Sequence, residues 1–181
     1  MEIDLDCFDA HWLRKAALPI NGTEEDEVSV IRSCLRHREH NPGQVYDLQH
    51  ELSDELVAGV VSHLVINLES CDHETILNFA IKNSSPIYSK SIVQQLGELR
   101  FFTREDDLAI LNATKQGCDS FDVFDEMFPG SRGVVTFSRV GFNQAVDEAI
   151  ICYGNRGGMY MLMRKKNNKW EIDERIVAWW N

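Results

Sequence analysis

The chain has 181 residues, 44% of them hydrophobic and 26% charged, the balance of an ordinary globular protein rather than a disordered or fibrous one. Eighteen basic against twenty-nine acidic residues leave a formal charge of -11, which repels a phosphate backbone and an anionic lipid surface and argues against nucleic acid or membrane as a partner. A chain of this size buries roughly 70% of the surface it exposes when unfolded, so one α+β domain over residues 1–181, needing no metal or cofactor, is the expectation.

Met1-Glu2-Ile3-Asp4-Leu5-Asp6 has neither the basic start nor the apolar stretch of an export signal. No apolar run approaches the ~20 residues of a membrane-spanning helix. The five cysteines, Cys7, Cys34, Cys71, Cys118 and Cys152, are odd in number, far apart and without a C-x-x-C pair. They read as free thiols of a cytoplasmic protein.

The elements follow in order. Thr23 and the acids Glu24, Glu25 and Asp26 open a helix over 24–37 whose Val28, Ile31, Cys34 and Leu35 form one apolar stripe. Asn41-Pro42-Gly43 turns the chain into an alternating strand, Gln44 to Leu52. Ser53 starts the most apolar helix, expected to be central, and Asp72 caps the next, which ends at Asn83 before Ser84-Ser85-Pro86. Glu98 to Phe102 is a short strand, and Thr103 to Asp106 is a second capping box opening a helix through Leu108 and Leu111. Phe121, Phe124 and Phe128, at helical spacing, are assigned to the core.

Beyond Gly133 the period becomes that of strands: Val134 to Phe142, Ala149 to Tyr153, Met159 to Arg164 and Trp170 to Trp180. Asn155-Arg156-Gly157-Gly158 and Lys166-Asn167-Asn168-Lys169 read as hairpin loops. N-terminal helices packed on one face of a C-terminal antiparallel β-meander are the expected architecture.

Chemistry is hard to find. Cys34, His37 and His40 are the closest approach to a metal set, but the last turns away from the shared face and no second ligand pair accompanies it. There is no nucleophile elbow and no phosphate-binding loop, because the glycines at 154–158 join two strands rather than lead into a helix. Glu105-Asp106-Asp107 sits in a first helical turn, where acids are favourable without any ligand. Arg139 stands out, because alternation places it between Phe137 and Gly141 on an apolar face. An unpaired charge there costs several kcal/mol, so a carboxylate, a set of carbonyls or a bound anion must meet it.

Pro129-Gly130-Ser131, Ser138-Arg139-Val140-Gly141-Phe142-Asn143, Ala149, Tyr153-Gly154, Gly158, Trp170-Glu171-Ile172 and Trp179 resemble the C-terminal half of a family of uncharacterised, mainly bacterial proteins over about residues 74 to 181. The resemblance implies an architecture and no activity. Glu148 replaces the glutamine expected there, and the loop at Gly157-Gly158 is shorter than the family's.

Two functions compete. A non-enzymatic module, inhibitor- or immunity-like, would hold another protein of basic character through its acidic surface or through Trp179 and Trp180. An NTF2-like domain would instead enclose a small molecule between sheet and helices, lined by Ser138, Arg139, Tyr153 and Tyr160. With Asn143 from the shared motif, these seven are the candidate ligand or partner residues; no catalytic residue is assigned.

Overall fold

A computed structural model describes residues 20–36, 45–47, 54–84, 90–97, 99–131, 133–154 and 157–180. Helices α1 (Glu24–Arg36), α2 (Asp54–Asn67), α3 (His73–Asn83) and α4 (Lys90–Gln95) accompany strand β1 (Val45–Asp47). Strand β2 (Arg100–Phe101), helices α5 (Arg104–Lys115) and α6 (Ser120–Met127), and strands β3 (Val134–Phe137), β4 (Gly141–Phe142), β5 (Glu148–Gly154), β6 (Gly157–Lys166) and β7 (Lys169–Trp180) complete the chain. The chain is α+β, with most helices early and an antiparallel sheet late.

The sheet runs β2-β1-β3-β5-β6-β7, with β4 pairing β5. From β3 onward the pairing is antiparallel, as a meander requires; β1 extends the sheet by pairing in parallel with both β2 and β3. The β6–β7 turn is Asn167-Asn168, with φ of 52° and 60°. Two consecutive left-handed residues twist the connection in the sense of the strands, and asparagine tolerates that region better than most side chains.

Helices lie on both faces of the sheet, not on one. Ala149, Ile151, Met161 and Met163 share a buried cluster with Val28, Ile31 and Cys34 of α1 and Ile92 of α4. Ile150, Cys152, Tyr160 and Leu162, the alternate residues of the same two strands, share another with Val61 and Leu64 of α2 and Ile76 and Phe79 of α3. A strand buried on both faces needs an unbroken apolar run, which 149–152 and 159–163 supply. Helix α2 is an outer cover rather than a central element, since Ile66 on its far side is exposed.

Both capping boxes form. In each, a threonine hydroxyl accepts the amide of an aspartate three residues on, whose carboxylate accepts the threonine's own amide: Thr23 with Asp26, and Thr103 with Asp106. Asp72 precedes α3, but its side chain does not cap it. Glu148 Oε1 reaches this first turn from β5, accepting the Asp72 amide and the Thr75 hydroxyl, each at 2.8 Å.

Candidate functional site

The expected strand 134–142 is two strands. Phe137 pairs with Tyr153 and Gly141 with Ile150, so three residues, Ser138, Arg139 and Val140, stand opposite two, a bulge. Ser138 makes the bulge possible. Its amide donates to the Cys152 carbonyl at 3.0 Å, and its hydroxyl accepts the Cys152 amide at 2.7 Å, replacing a ladder carbonyl. Asn83 behaves as a short strand beside Arg139, its Oδ1 accepting the Arg139 amide and its Nδ2 donating to the Arg139 carbonyl.

The bulge delivers Arg139 to Glu27 of α1. Arg139 Nε and Nη2 donate to the two carboxylate oxygens at 2.9 and 2.7 Å, a bidentate fork. Lys82 Nζ reaches the same Oε1 at 3.1 Å, and the Val140 amide donates to Oε2. The side chains of Glu27 and Lys82 are 1% and 2% exposed and that of Arg139 18%, so one buried carboxylate answers a buried cation and a mostly buried one. Burial pulls the Lys82 amine below its ordinary pKa, partly offset by Glu27. Lys82 also lies 4.8 Å from the centroid of the Phe142 ring.

Gly141 makes room for α3. A Cβ there would come within 2.4 Å of the backbone of Phe79. The missing side chain is the space into which α3 packs, and it lets Asn78 Oδ1 accept the Phe142 amide.

Asn143 closes the β4–β5 turn. Its Oδ1 accepts the amides of Asp147 and Glu148, and its Nδ2 donates to Asp147 at 2.7 Å. Tyr160 is buried against Phe79 in an edge-on contact, and burial pushes its phenol up. Tyr153 packs on Phe137 at 5.1 Å between ring centroids. Because Tyr153 pairs with Met159 and Cys152 with Tyr160, the two tyrosines point to opposite faces of the sheet. They cannot line one pocket. Trp179 and Trp180 end β7 opposite Gly158 and Gly157; their side chains lie outside the described residues.

Ser138, Arg139 and Asn143 are thus engaged by their neighbours, and among the described residues no buried side-chain nitrogen or oxygen lacks a partner. Cys34, Cys71, Cys118 and Cys152 are free thiols. Desolvation raises Cys71 and pushes Cys152 up to about 12, the setting of an inert thiol rather than a nucleophile. Cys34 packs against Met163 sulfur; His37, His40 and Cys7 lie outside the described residues. Among the described residues no three His, Cys, Asp or Glu gather in a metal-binding arrangement.

Helices α5 and α6 lie where the sequence places them, but Phe121 is not in a core. None of the residues in either helix is buried. Phe128, just past α6, is buried, and with Phe124 and Phe102 it forms an aromatic cluster with centroid distances of 5.1 to 6.2 Å. The Arg100 guanidinium stacks 4.5 Å from the centroid of the Phe128 ring. Phe121 is not part of this cluster: it is 77% exposed, and Leu108 and Leu111 are exposed as well. The spacing of 121, 124 and 128 does put the three on one face, but Phe121 stands in the first turn of α6, about two turns along the axis from Phe128, beyond the reach of their cluster.

Compared with protein-family models, with curated proteins and with solved structures, the chain matches none of them.

Proposed function

We propose that this chain is a non-enzymatic binding module that holds a basic partner protein on the α5–α6 hairpin. One observation carries the reading: two consecutive helices bury no residue and leave Leu108, Leu111 and Phe121 in solvent. Large apolar side chains left exposed on two successive helices are material for a protein interface. Residues 104–127 hold seven carboxylates against two cations, Arg104 and Lys115. Such a rim favours a cationic partner and repels an acidic one. An inhibitor- or immunity-like role in a reducing cytoplasm fits the four free thiols, and the likeness to a mainly bacterial family belongs to the same reading.

The test is capture from a host lysate with the wild-type chain and with a Leu111→Ser, Phe121→Ser variant, followed by affinity measurements at low and high salt. A basic protein retained by the wild type and lost by the variant, and bound more weakly as salt rises, is the expected result. Equal retention by both chains, or capture of acidic proteins only, overturns the reading.

A further inference from the structure

The α5–α6 hairpin holds itself together with local bonds. Thr103 and Asp106 close the start of α5, and the Gly117 and Cys118 amides donate to the Thr114 and Ala113 carbonyls at its end. Asp119 caps α6 through the Phe121 and Asp122 amides. The two helices pack on one another, and α5 turns only Asp106, Ile110 and Ala113, one face by spacing, out of full exposure.

Its links to the rest of the fold are few. Phe102, directly after the outermost strand β2, meets Phe124 and Phe128 at 6.2 and 5.8 Å between ring centroids. The Arg100 side chain donates to the Met127 carbonyl. Among the described residues no other hydrogen bond, ion pair or ring contact joins 104–127 to the chain before Thr103 or after Phe128. Past Phe128 the backbone returns through Gly130 and Gly133, at φ of 78° and 105°, with no atom packed where a Cβ would stand.

Helices of 12 and 8 residues are marginal in water without tertiary cover. Helices α1 and α3 have that cover, through buried residues such as Ile31 and Phe79; α5 and α6 bury none. A segment with so few buried apolar contacts opens at a lower free energy than the core from which it hangs.

We propose that the hairpin is a pinned arm: Phe124 lets go of Phe102 and Phe128, and α5 and α6 melt together as one unit while the sheet and its covering helices stay folded. The consequence for binding rests on the reading above. Leu108, Leu111 and Phe121 form one surface only in the pinned, helical state, so the pinned fraction scales the apparent affinity of the basic partner.

Native-state hydrogen exchange of the free chain tests the opening. Amides in the interiors of α5 and α6 should exchange at one shared, opening-limited protection, at least about a hundredfold faster than those of β5 and β6. Ala109→Gly, an exposed change in α5, should speed exchange about fivefold in α6 as well as in α5. Ile151→Val, within the sheet core, should speed the slowest sheet amides roughly two- to tenfold and leave the hairpin amides as they were. Hairpin amides protected as well as those of β5, hairpin amides that follow Ile151→Val, or an effect of Ala109→Gly confined to α5 would each overturn the proposal. No partner enters these measurements, so the opening and the binding reading fail separately.

Discussion

Arg139 and Glu27 are 112 residues apart in sequence and meet through two hydrogen bonds of 2.7 and 2.9 Å, with Lys82 on the same carboxylate. Removing one member of a buried ion pair leaves an uncompensated charge, which costs about 3–5 kcal/mol. Glu27→Ala should fall in that range or above it, since it strands two cations. Arg139→Ala should cost on the order of 3 kcal/mol, and Arg139→Lys less, because an ammonium cannot reproduce the fork. Denaturant melts decide this. Wild-type stability in both Arg139 variants would show that the pair contributes nothing to the fold.

Lys82 gives the triad a pH dependence with a definite sign. Its folded pKa is lowered from 10.5, so between the lowered value and 10.5 the unfolded chain binds the extra proton. Stability from this group therefore rises with pH across that window and is lost as pH falls through the folded pKa. Lys82→Met, which leaves a neutral Glu27–Arg139 pair, should be tolerated near pH 7. Its stability relative to wild type should decline as pH rises from 7 to 10. Parallel curves across that range would mean that Lys82 titrates alike in both states.

Phe128 and Phe121, at opposite ends of the exposure range, separate cleanly. Phe128→Ala removes a buried ring and should cost about 3 kcal/mol. Phe121→Ala should stay within about 0.5 kcal/mol of wild type. Thermal melts of the two variants test the assignment, and a large loss at Phe121 would place that ring inside a core.

Gly141 should tolerate no side chain. A Cβ at 2.4 Å from Phe79 backbone atoms cannot be relieved by a rotamer change, so Gly141→Ala must push α3 off the sheet and break the Asn78 bond to the Phe142 amide. We expect a loss of several kcal/mol, comparable to severe overpacking. A variant that melts like wild type would show that α3 can shift without cost.

Much of this fold was legible in the sequence. The capping threonines, the two-residue asparagine turn and the change from helical to alternating period after Gly133 are local signals, and each has its counterpart in the structure. Helix α4 went unseen, because six residues are too few to display a period. The break at Ser138 was also hidden, because it depends on Asn83 and Glu27, which sequence distance conceals. Arg139 announced that it needed a partner, but nothing local said which carboxylate would come. Glu148 looked like a departure from a family pattern, and its role in starting α3 emerges only in three dimensions.

Helix α1 is anchored at two ranges: Lys82 and Gln95 meet Glu27 and Arg32 at separations of 55 and 63 residues, whereas Glu27 to Arg139, Ser33 to Trp170 and Cys34 to Met163 span 112, 137 and 129. A ribosome therefore releases this helix long before the strands it rests on exist. Until β5 to β7 emerge, Val28 and Ile31 have only α4 and β3 to rest on and the Glu27 carboxylate lacks the sheet that buries it, so the growing chain carries a half-covered apolar stripe. Pairings of such sequence range delay folding because their loop-closure entropy is lost before any contact repays it. Chaperone dependence during synthesis, and aggregation of chains truncated before residue 148, follow from where α1 finds its footing.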